Sequence, residues 1–462
     1  MFCYTNDRVR WHNFCIEGVS MSTKQLTTES VSKLFFRYLF PSIAGTMVTS
    51  IYILADTIII GKGIGIHAMA ALNIVLPLFN IFFGNGLLFG VGGSVLMSIA
   101  RGKGDKKAGE CYFTIATLLN MLTSLLYTIL LWFYMEPVAT FLGATEITMP
   151  YVKEYAPYVI LGLSVFSFST FLQTFVRNDG APKLSMIAVI TGGVSNVILD
   201  IVFVYPLNMG MSGAAIASVI GSLLTVIILL FHFRSPENGL HFCLENSSLR
   251  QVKHILENGF TSFLVEVTSG LLMFVFNIQI LNYIGDIGVS MYGVICNTVI
   301  IVTCLCNGIN QASQPIISTN HGAGLHQRIE TVKNLGLRTA LIICSIPALA
   351  GLIVPNLFTY IFLNPTKEIL ELSPLAIRIY FTGFFVTGVN MFIIGYFQST
   401  VRPQLSLLLC LLRGCVLGIV FVYTLAPLLG VVGIWASIPL SECITLILSI
   451  YFLRKSKKEG LS

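Results

Sequence analysis

Gly102-Lys-Gly-Asp-Lys-Lys107 and Asn320-His-Gly-Ala-Gly324 each end a long apolar stretch, and they lie 220 residues apart. The same offset relates Gly65 to Gly285, Gly102 to Gly322 and Gly104 to Gly324. It also relates Gly210-x-x-Gly213 to Gly430-x-x-Gly433. A duplication inside an apolar chain implies two similar bundles facing each other across an interface, where membrane transporters place their substrate path.

Composition sets the class. Hydrophobic residues make up 55 % of the chain and charged residues only 10 %, with a mean hydropathy of +0.83. Soluble domains carry about 25 % charged residues, so a chain this apolar belongs in lipid. Basic loops beside anionic lipid account for the net charge of +6 without a nucleic-acid partner. The eleven cysteines are scattered, form no Cys-x-x-Cys, and read as small buried residues.

Residues 1–20 are polar and mixed, with no apolar core for a signal peptide. They read as a dispensable tail. A window of about 19 residues then finds twelve spans. They lie near 34–60, 67–100, 111–134, 155–177, 183–205, 212–234, 255–281, 288–318, 331–354, 373–398, 403–425 and 431–453. Pro41, Pro77, Pro157 and Pro315 fall in or near spans as tolerated kinks. The expected organisation is a tail (1–33), a first lobe (34–234), a cytoplasmic linker (235–254), a second lobe (255–453) and a C-terminal tail (454–462).

Lys and Arg orient the chain. With twelve spans both termini share a face. The loops of that face carry thirteen basic residues, among them Arg101, Lys103, Lys106, Lys107, Arg177 and Arg328. Its tail adds Arg454, Lys455, Lys457 and Lys458. The opposite loops carry Lys62, Lys153 and Lys367, with Arg378 near an edge. This asymmetry predicts cytoplasmic termini in a multi-pass plasma-membrane protein.

Acids inside the spans carry the chemistry, because an intramembrane carboxylate costs several kcal/mol and normally faces a cavity or an ion. They are Asp56, Asp200, Glu266 and Glu442. Glu442 also has a plain reading, a carboxylate near a helix end reaching the headgroups. Span 5 rises outward, which puts Asp200 roughly 25 Å along it. Asn196, four residues earlier, shares its face. Span 1 brings Asp56 to the same outer half, and span 6 brings Ser218. These oxygens suit Na⁺, and close carboxylates share a proton. Met273, Phe274 and Phe276 are candidates to line an apolar drug cavity.

The chain is similar to the multidrug and toxic compound extrusion (MATE) family in several stretches. They are Ala55-Asp-Thr-Ile-Ile-Ile-Gly61, Gln173-Thr-Phe-Val-Arg-Asn-Asp-Gly-Ala-Pro-Lys183, Asn196-Val-Ile-Leu-Asp200 and Gly210-x-x-Gly-Ala-Ala215. Gln314-Pro315, Asn320-His-Gly-Ala-Gly324 and Gly430-x-x-Gly-Ile-Trp435 continue the match in the second half. The resemblance implies an all-α integral membrane protein whose twelve transmembrane helices form two pseudo-symmetric six-helix bundles in a V. It implies antiport of small organic, often cationic drugs against H⁺ or Na⁺, hence antibiotic resistance, by a monomer without a cofactor. The family's cation site maps onto Asp56, Asn196 and Asp200, with Ser218 where a Thr is usual. Glu266 resembles the helix-7 acid of the NorM-like branch and is a candidate substrate or second-lobe ion site. That branch also has a helix-10 acid, and none occurs between Tyr380 and Arg402.

Three other functions fit less well. A flippase for lipid-linked oligosaccharide would line its cavity with basic residues for a pyrophosphate. Within spans only Arg413 is central, with Arg37 and Arg378 marginal. A membrane-embedded enzyme lacks support from any His-Glu-x-x-His, Gly-x-Ser-x-Gly or histidine cluster. No filter signature marks a channel. Gly102-Lys-Gly-Asp-Lys-Lys107 lacks the spacing of a phosphate loop and reads as a tight turn. Gly90-x-Gly92-Gly93 reads as a helix-packing patch.

The charge asymmetry generates a test. A cysteine placed in 235–254, or in the C-terminal tail, should resist an impermeant thiol reagent applied outside intact cells and react after permeabilisation. Labelling from outside would reverse the orientation.

Overall fold

The computed structural model describes residues 22–458 except 244, 246, 247 and 364, so the reading of residues 1–20 lies outside the described residues. Twelve helices are long and apolar enough to cross a membrane. In order these spans are Val31–Gly63, His67–Gly102, Lys106–Phe141, Met149–Asn178, Pro182–Val204 and Gly210–Arg234. The second six are Leu249–Ile284, Asp286–Gly322, His326–Ile353, Lys367–Ser399, Pro403–Leu429 and Val431–Lys457. In lipid the backbone must satisfy its own hydrogen bonds, so each apolar run becomes a helix. Hydroxyls inside the spans follow the same rule. Thr46, Thr117 and Thr298 donate to carbonyls one turn back.

The twelve spans fall where the hydropathy places them, but most extend further, and several departures have local causes. Span 3 kinks at Tyr134 (φ −112°, ψ 19°), where Pro137 lacks the N–H that would bond Phe133. Span 10 breaks between helices Lys367–Phe381 and Phe384–Ser399. Span 11 carries one π-helical turn over Leu412–Val416. Part of the expected N-terminal tail is ordered as a helix, Thr23–Thr28, capped reciprocally by Ser22 and Gln25. The last helix runs on into the expected C-terminal tail as far as Lys458. The two glycine turns are tight, with Gly104 at φ +85° and Gly324 at φ +69°, a region where a side chain is strained.

The lobes join along the half of the molecule that holds the termini. Span 2 lies on span 7, and spans 1 and 2 lie on span 8. Backbones touch there. A Cβ on Gly259 would collide with the Leu88 carbonyl, and one on Gly92 with the Ile255 carbonyl. Gly102 and Gly322 approach each other the same way, through the carbonyls of Thr319 and Ile99. Small residues allow this dry, close packing without a hydrophobic driving force between helices.

Two leading segments cross this face. The Thr23–Thr28 helix precedes span 1 but docks on the second lobe. Asn320 and Arg328 donate to the Leu26 carbonyl at 3.2 and 3.1 Å, and Arg328 donates to the Glu29 carbonyl at 2.7 Å. The segment before span 7 docks instead on the first lobe. Asp179 accepts from Arg101, from the Gly239 N–H (2.9 Å) and contacts His232 Nε2 (2.6 Å). Arg101 also holds the Gly239 carbonyl. Burial pushes the Asp179 carboxyl up, but Arg101, His232 and the Gly239 N–H outweigh it and hold the group below its ordinary value.

The glycine contacts make the closed seam sensitive to one methyl group. Gly259→Val should overpack it by about 1–3 kcal/mol. Spin labels at positions 105 and 327, in a chain whose native cysteines are replaced, should then report a second, longer distance by pulsed EPR. A single unchanged distance would show that the seam is not held by backbone approach.

Candidate functional site

Three spans bring the first-lobe acids together, and missing side chains set the approach. A Cβ on Gly193 of span 5 would lie 3.0 Å from the Tyr52 ring of span 1. A Cβ on Gly221 of span 6 would lie 2.9 Å from Asn196 Cβ. Without them, spans 1, 5 and 6 close on one another near Asn196. Asp56 lies one turn beyond Tyr52 and Asp200 one turn beyond Asn196, so their carboxyl groups meet. Asn196 Nδ2 donates to Ser218 Oγ at 3.3 Å. All four residues expected from the sequence, Asp56, Asn196, Asp200 and Ser218, therefore share one site.

The site is deep and rich in unpartnered acceptors. Asp200 is 0 % exposed and Asn196 3 %. Asp56 Oδ1, both Asp200 carboxylate oxygens and Asn196 Oδ1 are buried without a hydrogen-bond partner among the described residues. No lysine, arginine or histidine of the described ion pairs reaches either aspartate. Two ionised carboxylates cannot share so small a dry space unaided. The arrangement accepts a proton between the carboxyl groups, or a hard cation on their oxygens and those of Asn196 and Ser218.

Tyr155 of span 4 completes the wall. Its hydroxyl lies against Ser218 and faces both carboxyl groups, and the residue is 1 % exposed. Sequence reasoning passed over it because an apolar span gives no sign of which face its tyrosine presents. The signal available was its place one turn beyond Tyr151 on a helix with a polar start.

Glu266 stands apart from this group. It lies on the seam, where a Cβ on Gly84 of span 2 would be 3.7 Å from Glu266 Cβ. Cys304 is beside it, held from the first lobe by Thr46 Oγ1, which donates to the Cys304 carbonyl at 2.8 Å, and by Ser50 at 2.6 Å from its thiol. Glu442 does not reach toward headgroups. It is 4 % exposed and paired inside the second lobe with Arg413 at 2.8 Å. Phe276 does not line a cavity either. It is buried in the second-lobe core against Tyr292, whereas Met273 and Phe274 are exposed.

The MatE family model matches residues 41–202 and 261–424 of this chain. The chain is 24 % identical over 436 residues to Multidrug export protein MepA of Staphylococcus saprophyticus, covering 92 % of this chain and 94 % of that protein. It is 22 % identical over 436 residues to the protein of the same name from Staphylococcus aureus strain MSSA476, with the same coverage. Among solved structures, a MOP superfamily transporter from Pyrococcus furiosus superposes with a TM-score of 0.88 at 22 % identity, over 96 % of this chain and 99 % of that one. A structure described as the outward-facing conformation of a multidrug resistance MATE family transporter gives the same TM-score, identity and coverage. With the duplicated bundles and twelve spans already described, the chain belongs to the MatE family of multidrug and toxic compound extrusion transporters.

Proposed function

We propose that the protein is a secondary active multidrug exporter. It exchanges small organic, often cationic compounds for H⁺ or Na⁺ by alternating access, in the plasma membrane and as a monomer. The observation that carries this reading is the pocket of Asp56, Asn196, Asp200 and Ser218, whose buried carboxylate oxygens have no internal counter-charge among the described residues. Its staphylococcal relatives, named as multidrug export proteins, support the same reading.

The basic loops put the terminal face in the cytoplasm. The glycine seam then closes the cytoplasmic side, the arrangement of an outward-facing transporter. A cation entering from outside neutralises the Asp56–Asp200 pair and stabilises one lobe arrangement more than the other. Drug and cation exchange by that difference. Glu266, on the seam, is the acid nearest the path between the lobes and suits a cationic substrate. The flippase alternative loses ground because Arg413 is neutralised by Glu442, Arg37 lies by Glu29 and Arg378 donates to the Leu352 carbonyl.

In dye-loaded proteoliposomes, an imposed pH or Na⁺ gradient should drive efflux. Asp56→Asn and Asp200→Asn should each reduce it to the level of empty vesicles, and the double variant should be no worse than either. Neither variant should lower Tm, since each removes an uncompensated buried charge. Asn196→Ala removes a neutral ligand worth about 1 kcal/mol, so apparent cation affinity should fall about fivefold. If Glu266→Gln stops gradient-driven efflux while Asp56→Asn does not, coupling lies in the second lobe and the assignment fails.

A further inference from the structure

The duplication invites the expectation of a second cation site, but the second-lobe positions that correspond to the first-lobe cluster do not repeat its ligands. At an offset of 220, Asp56 corresponds to Phe276, Asn196 to Val416, Asp200 to Val420 and Ser218 to Ile438. All four are apolar. Shifting span 11 by one residue gives Leu417 and Phe421, which are apolar too. Apart from Glu266, which lies on the seam, the second lobe buries Glu442 among its own helices, and it treats that group differently.

Glu442 of span 12 has both oxygens occupied by donors of the protein. Arg413 Nε donates to Oε1 at 2.8 Å, and Asn390 Nδ2 donates to Oε2 at 2.7 Å. The same Asn390 amide also bonds the Glu442 carbonyl at 2.8 Å, which fixes the helix as well as the side chain. Asn390 is 0 % exposed. Arg413 sits on the π-helical turn Leu412–Val416, a local widening that re-aims one side chain within a helix. The other polar groups facing the pair are neutral: the Cys306 and Cys344 thiols, 3.3 Å apart, the Cys410 thiol and the Tyr380 hydroxyl. The cluster holds one positive and one negative charge and sums to zero. The first-lobe cluster holds two carboxyl groups and no cation.

We propose that Arg413 is a tethered cation, supplying covalently to the second lobe the positive charge that the first lobe must take from solution. The protein then has one exchanging cation site, and the second lobe changes position without binding or releasing an ion. This rests on the first-lobe coupling site proposed above and adds its stoichiometry. An arginine suits the task because its planar guanidinium presents a rigid set of donors matched to a carboxylate. The pair sets the coupling ratio by withholding Glu442 from exchange, so Arg413 is a positioning residue, not a transport ligand.

The test measures cation binding by the purified full-length protein, as ²²Na⁺ bound and as H⁺ taken up in weakly buffered solution. The wild type should lose all specific binding on Asp200→Asn. Adding Arg413→Met to that variant should restore binding at Glu442, and adding Glu442→Gln as well should remove it again. Arg413→Lys keeps the tethered charge and should restore nothing. Arg413→Met/Glu442→Gln, a neutral pair of similar volume, should bind as much cation as the wild type. That variant decides the matter if Arg413→Met alone does not fold. The inference is overturned if Asp200→Asn retains binding that Glu442→Gln abolishes. It is also overturned if the neutral pair binds less than the wild type, or if folded Asp200→Asn/Arg413→Met binds nothing. Failure of the first-lobe reading looks different. In that case Asp200→Asn leaves wild-type binding intact, Glu442→Gln changes nothing, and Arg413→Met alone still adds a site.

Discussion

Two carboxyl groups meet inside the bilayer at Asp56 and Asp200 with no basic partner among the described residues. Much of the first lobe is arranged around that juxtaposition. It is unfavourable by itself, because a charge in hydrocarbon is costly and a second one beside it more so. It persists because spans 1, 5 and 6 are held together by contacts that do not depend on the charges. The bare surfaces of Gly193 and Gly221 admit Tyr52 and Asn196, and apolar residues around Val204, Met211 and Ala214 pack behind them. The contacts that shape this pocket are apolar and steric, so they do not depend on what occupies it.

An exchanging site moves a substrate only when both lobe arrangements are accessible. The seam meets that condition by its chemistry. It is held by backbone approach at Gly92, Gly102, Gly259 and Gly322 and by a few hydrogen bonds to neutral acceptors, such as Arg177 to Gln311 at 3.0 Å and Asn178 to Gln314 at 3.3 Å. Charged pairs across it would be harder to part, since separation would strand them. The strong ion pair of this face, Arg101 with Asp179, lies within the first lobe and anchors the connecting segment at Gly239. The lobes can part while their tethers hold.

The fold was largely legible because lipid imposes a simple rule: apolar runs of sufficient length become helices. Repeat spacing and span number followed from the glycine landmarks. The meeting of Asp56, Asn196, Asp200 and Ser218 was legible for a related reason. Depth along a helix fixes height in the membrane, and Asn196 with Asp200 fixes a face. Rotation of one helix against another is not written in any one span. That is why Tyr155 was missed, why Phe276 turned out to be core, and why Glu442 was left with two readings, a functional acid or a group near a helix end. The π turn that aims Arg413 at Glu442 depends on packing between spans 11, 12 and 7, which no local pattern announces. The break in span 10 at Thr382 and Gly383 has the same character, for Gly383 packs beside Pro439 of span 12.

The duplication therefore conserved architecture more closely than chemistry. Both lobes place a buried carboxylate among helices that meet at small residues, and both must offset its charge. One does so with a donor fork at fixed distance, 2.8 Å from the Glu442 carboxylate. The other leaves its oxygens open. A pair of identical open sites would make each lobe's position depend on its own ion and let the two titrate independently. On the proposed reading, with one site open and the other closed internally, a single binding event biases both lobes, because the Arg413–Glu442 pair contributes no ion-dependent term of its own. Cation binding and lobe rotation are then linked through one equilibrium, the simplest arrangement in which a gradient performs transport.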